Sequence, residues 1–79
     1  MSDKRGSPRR RVLKAGSIEF GGLTIACMVR NISETGAALR VESFVGIPDE
    51  FTLLIVSDRL RKRCKIVWRT EKQIGVMFA

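Results

Sequence analysis

The sequence predicts an all-β protein: a six-stranded antiparallel β-barrel with a flexible basic arm at its N-terminus and no long helix. Three observations lead there. Apolar residues alternate with polar ones in short runs instead of recurring at helical spacing. Turn signals, among them Gly21-Gly22, Gly36, Gly46, Pro48 and Glu71-Lys72, separate those runs at regular intervals. Finally, 79 residues make one domain with a thin core, because a chain of this size buries only about 60% of its unfolded surface. Closing a small sheet into a barrel removes its exposed edges.

Residues 1–11 show no apolar periodicity and contain Gly6, Ser7 and Pro8, which marks them as the arm; residues 12–79 form the barrel. Residues 15–20 alternate with Ile18 and Phe20 on one face, and Gly21-Gly22 makes a two-residue hairpin. The return run, residues 23–30, puts Leu23, Ile25, Cys27 and Val29 inward and Thr24, Ala26, Met28 and Arg30 outward, ending at Asn31. Residues 37–41 continue as a strand with Ala37, Leu39 and Val41 inward and Ala38 and Arg40 outward. Residues 42–50 are a connection, residues 51–56 a β-branched apolar strand, and residues 57–60 a turn. Residues 61–70 alternate with Cys64, Ile66 and Trp68 on one face and Arg63, Lys65 and Arg69 on the other. The last strand, residues 73–78, aligns Ile74, Val76 and Phe78.

Hydrophobic residues form 44% of the chain, which is enough for a core and too much for disorder. No apolar run approaches the roughly 20 residues of a membrane span, and the start lacks a secretory signal, so a cytoplasmic protein with no membrane insertion is expected. Cys27 and Cys64 lie in apolar runs, without a CxxC pair or any histidine, and read as core thiols rather than a metal site. A net charge of +7 comes from two stretches, six cations in residues 4–14 and five in residues 59–65. Such a balance calls for an anionic partner or serves solubility. No catalytic residue stands out: there is no histidine, no cluster of carboxylates and no activated nucleophile, so no enzyme is expected.

Two stretches carry binding chemistry. Asn31 and Ser33 have side chains that bond to nearby backbone, and Gly36 permits a positive φ or a close backbone approach. Together they make either a plain turn or a short cradle for a polar ligand edge. In the arm, Arg5 and Arg9 form an Arg-x-x-x-Arg pair. A guanidinium fork grips phosphate or guanine O6 and N7, and it stacks on base faces. Alone, the arm reads equally as a solvated tail.

Arg5-x-x-x-Arg9 ahead of a first strand, followed by Asn31-x-Ser33-x-x-Gly36 after a hairpin, resembles the PilZ domain, a family of bacterial receptors for the second messenger cyclic di-GMP. Gly36-Ala37-Ala38-Leu39 is similar to the strand after that family's second motif, and Ile74-Gly75-Val76-Met77-Phe78 to its last barrel strand. The resemblance implies a six-stranded barrel with the arm folding over one side. It implies that Arg5 and Arg9 hold guanine edges and phosphates, often of an intercalated ligand pair. Asn31 and Ser33 would contact guanine and phosphate from the barrel side, with Gly36 keeping the surface open. Arg10 joins as the neighbour of Arg9, and Arg40, outward and four residues after Gly36, adds a phosphate contact. Trp68, the only tryptophan, packs in the core or, second, offers a stacking platform at the barrel rim. Ligand binding would order the arm, and an unidentified protein effector would read the result. The resemblance implies cyclic di-GMP as the ligand and no other cofactor.

The rival feature is residues 59–65. It reads as a solvated turn and edge strand, or as a patch for nucleic acid or an acidic partner. The alternatives are thus a small basic barrel that binds nucleic acid, or a PilZ-like adaptor that binds only protein. A chain with no Tyr, four Phe and one Trp is short of the outward aromatics that single-strand binding uses.

Overall fold

The computed structural model describes the backbone of residues 10–42 and 46–79 and the side chains of these from Val12 onward. Six strands follow in order: β1 (Arg10–Phe20), β2 (Leu23–Ile32), β3 (Gly36–Arg40), β4 (Glu50–Ile55), β5 (Leu60–Arg69) and β6 (Gln73–Phe78). They form a closed antiparallel barrel in the order β1-β2-β3-β6-β5-β4. Closure comes from Ser17, Ile18 and Glu19 of β1 against Leu54, Leu53 and Thr52 of β4.

The inward alternation read from the sequence fills the barrel, except at Leu23, which follows the hairpin turn and is 59% exposed. Ile18, Val29, Leu39, Phe51, Leu53, Ile55, Cys64 and Ile74 are all buried to under 2% exposure. Burial of each such side chain contributes about 1.5–3 kcal/mol. Val12, Phe20, Ile25, Ile32, Ile66 and Phe78 pack against that cluster from the barrel ends. No helix of the described residues is long and apolar enough to cross a membrane; a single 3-10 turn, η1 (Val56–Asp58), joins β4 to β5. Lys14 of β1 donates to both carboxylate oxygens of Asp58, at 2.8 and 2.6 Å, and so fastens the early half of β1 to η1. Those hydrogen bonds hold the Asp58 carboxyl below its ordinary range.

Two further expectations are corrected. Trp68 does not join Cys64 and Ile66 inside: the register shifts between Ile66 and Trp68, and the indole lies outward at 44% exposure. One extra residue in a strand reverses every face after it. The late basic stretch is not an edge either, since β5 is paired with β4 on one side and β6 on the other. β1 begins at Arg10, two residues ahead of the point where alternation becomes legible. Arg5 and Arg9 lie outside the described residues.

Cys27 and Cys64 are free and buried. Burial pushes the Cys27 thiol up to about 11, with the neighbouring Cys64 adding to it, and burial likewise pushes Cys64 to about 11. Both thiols should therefore resist Ellman's reagent at pH 8 in the folded protein and react once guanidinium opens the barrel. Between the ordinary value of 9.0 and about 11 the unfolded chain ionises while the folded one does not. Their contribution to stability is therefore intact below pH 9 and lost as pH rises toward about 11, which urea midpoints across that range should record.

Candidate functional site

Strict alternation from Leu23 would carry Asn31 into the core. Two irregularities prevent it. On the β3 side, Val29 pairs with Leu39 and Asn31 with Ala38, so Arg30 is an unmatched residue. On the β1 side, Arg11 pairs with Asn31 and Lys14 with Val29, so Val12 and Leu13 together face Arg30. The bulges turn Asn31 outward beside Arg30 and return Ile32 to the core, where it packs.

The bulge in β5 does the same for Trp68, and the two displaced residues end on one line. Arg11, Asn31, Ala38, Gly75 and Trp68 are successive cross-strand partners over β1, β2, β3, β6 and β5. Three inter-strand spacings, about 14 Å, separate Asn31 from Trp68. Between them stand only a methyl group and a glycine. The Trp68 indole lies against Gly75, so closely that a Cβ there would collide with the ring. The result is a low platform with an amide at one end and an indole at the other. Two depressions share Asn31 and Ala38: one of about 620 Å³ is lined by Val12, Leu13, Arg30 and Gln73 as well, and one of about 230 Å³ runs to Val67, Trp68 and Gly75.

The turn after β2 supports this platform. Ser33 donates its amide to the Gly36 carbonyl at 2.8 Å, while its hydroxyl accepts the Thr35 amide at 3.2 Å. The Thr35 carbonyl accepts the Phe78 amide at 2.8 Å, tying the turn to the end of β6. Of the two roles open to Gly36, close approach is the one used. It is buried and takes no positive φ, and a Cβ would collide with the Val76 carbonyl. Gly36, opposite Met77, thus lets β3 approach β6 closely.

Arg10 pairs with Ile32, immediately before the Ser33 turn. Cross-strand partners lie about 4.5–5.5 Å apart. Arg40 belongs to the next outward row, Met28–Arg40–Gln73, and lines a different depression. Among the predicted residues, the fold sets Asn31 and Trp68 on one outward row, puts Ser33 and Gly36 in and after the turn beside it, and sets Arg40 one row away; of Arg10 only the backbone is described, opposite Ile32. Sequence reasoning missed Arg30, Ala38 and Gly75. An Arg before the motif asparagine was visible, but its outward bulge was not; Ala38 and Gly75 matter only because they are partners.

The late basic stretch is partly neutralised within the molecule. Arg61 pairs with Glu19 at 3.6 Å and Arg63 with Glu50 at 3.4 Å. Lys62 lies over the Phe78 ring at 5.9 Å.

The sequence model of the PilZ domain matches residues 3–79, nearly the whole chain. No curated protein matches it.

Gly36→Ala should destabilise the barrel by about 1–3 kcal/mol, read by urea denaturation, since backbone on both sides must move. Gly75→Ala should cost less, because an exposed indole can swing aside. Its signature is a red shift of the emission of the single tryptophan, and an unchanged spectrum would contradict that close placement.

Proposed function

The chain belongs to the PilZ domain family, whose members are ligand-binding receptors and adaptors for cyclic di-GMP rather than enzymes, and from that premise we propose that it is itself a cytoplasmic cyclic di-GMP receptor. The observation that carries this reading is the pairing of Arg10 with Ile32 and Arg11 with Asn31. It roots the arginine arm at the corner that holds the Asn-x-Ser-x-x-Gly motif, which is where a clamp needs its hinge.

Each part then has a task. Asn31 offers an amide to a guanine edge. Ser33, half-buried in its turn, donates its hydroxyl to the Gly36 carbonyl at a long 3.4 Å, a bond it exchanges for one to a guanine or phosphate oxygen. Ala38 and Gly75 leave the floor low enough for a flat base. Trp68 lies at the far end as the stacking surface, its ring braced on Gly75. Arg5, Arg9 and Arg10 close from the arm side with bidentate contacts to phosphate or guanine. Gly36 acts indirectly, through the approach of β3 to β6. Ordering the arm creates a surface that was absent before, and a protein effector reads it; this is a disorder-to-order switch. The ion pairs of Arg61 and Arg63 weigh against a nucleic-acid patch on β5.

Titration calorimetry with cyclic di-GMP should show micromolar or tighter binding, with quenching of Trp68 emission. Arg9→Ala and Ser33→Ala should each weaken binding; for the charge-assisted arginine contact the loss is about 1.5–3 kcal/mol. Trp68→Ala should cost about 1–3 kcal/mol, the worth of base–aromatic stacking. Folded protein that gives neither heat nor quenching would overturn the receptor reading. Oligonucleotide retention lost with Arg61→Ala and Arg63→Ala but kept with Arg9→Ala would favour nucleic acid instead.

A further inference from the structure

Beside the platform, on the outer face of β1, β2 and β3, lies a depression of about 480 Å³. Its floor is aliphatic: Leu13, Ala26 and Met28 line it, with Leu13 at 72% and Met28 at 38% exposure. Its rim is cationic, carrying Arg30, Arg40 and Lys72 against the single carboxylate of Glu42. Among the described residues these three cations make no ion pair, whereas Lys14, Arg61, Arg63 and Arg69 are each matched by a carboxylate. Three cations against one carboxylate thus leave unmatched positive charge around an exposed apolar floor; Arg59, Lys62 and Lys65, at the start of β5 and along it, likewise make no ion pair among the described residues.

We infer that this face docks an acidic, amphipathic segment of a partner protein, seating an apolar side chain on Leu13, Ala26 and Met28 and carboxylates on Arg30, Arg40 and Lys72. Charge complementarity selects the acidic character, and the aliphatic floor selects a peptide over nucleic acid. A nucleic acid needs cations but gains nothing from aliphatic carbon, and stacking requires aromatics that the depression lacks. The volume suits one or two side chains, so the segment lies across the sheet face with its anchors pointing in. Because the barrel is closed and β2 is flanked by β1 and β3 here, recognition goes through side chains.

The groove is continuous with the platform: Leu13 and Arg30 line both depressions. Occupation of one therefore alters the other, and by reciprocity the partner changes ligand affinity by the same factor. That coupling rests on the cyclic di-GMP reading; docking of the acidic segment does not.

A random peptide library displayed on phage, panned against the full chain with Lys72→Glu protein as counter-selection, tests the inference. The selected peptides should be enriched in Asp and Glu interspersed with Leu, Ile or Phe. Synthesised, they should shift the amide resonances of Leu13, Ala26, Met28, Arg40 and Lys72. Met28→Glu and Lys72→Glu should each weaken them at least tenfold while leaving cyclic di-GMP titrations unchanged; Lys72 sits in an exposed turn, so its variant tests the charge without disturbing the core. Saturating cyclic di-GMP should change peptide affinity several-fold. Peptides without acidic enrichment, shifts confined to β4 and β5, or a single-stranded oligonucleotide that shifts the same amides more tightly would each overturn the docking. Peptide binding that is intact but indifferent to cyclic di-GMP would overturn only the coupling.

Discussion

The register between β1 and β2 is the constraint on which the site depends. Nine cross-strand pairs, from Phe20 with Leu23 to Arg10 with Ile32, hold the two strands together across one irregularity. That irregularity absorbs Val12 and Leu13 against Arg30 and lets pairing resume at Arg11 with Asn31. A slip by one residue would send Asn31 inward and move the root of the arm away from the Ser33 turn. The Gly21-Gly22 turn, with both residues at positive φ, and the burial of Ile18, Cys27 and Val29 prevent such a slip. An apolar core thus fixes where the polar groups of the outer surface fall.

Room on that surface is made by what is missing from it. Any side chain larger than a methyl at position 38, or any at all at position 75, would stand between Asn31 and Trp68. Gly75 has a second effect, because it lets the indole lie against backbone and gives a half-exposed ring one favoured orientation. Gly36 works in the other direction: it allows β3 to approach β6 at the barrel wall, while the Thr35 carbonyl ties the motif turn to Phe78. The motif is consequently held by the last strand as much as by its own.

Charge is distributed with comparable effect. On β5, alternating cations meet carboxylates from β1 and β4, so a stretch that is intensely basic in one dimension is moderated in three. Exposed pairs of this kind contribute little stability, about 0–1 kcal/mol each. Cations without an ion pair remain at Arg59, Lys62 and Lys65 and, gathered on the face adjoining the root of the arm, at Arg30, Arg40 and Lys72.

The sequence by itself determined the barrel, the inward set from Ile18 to Val76, the hairpin at Gly21-Gly22 and the order of the two motifs, because alternation and turn chemistry are local. It also carried the family, through motif residues whose spacing is one-dimensional. The placement of Asn31 and Trp68 was decided only by the tertiary structure. Alternation assigns both to the core, and both face outward because a single residue is bulged just before each, Arg30 in β2 and Val67 in β5. A bulge is a compromise between the pairing of one strand with its neighbour and the closure of the whole barrel, so it has no signature in either strand alone. The roles of Ala38 and Gly75, and the neutralisation of the late arginines, were hidden for the same reason: each is a property of partners that only a closed sheet brings side by side.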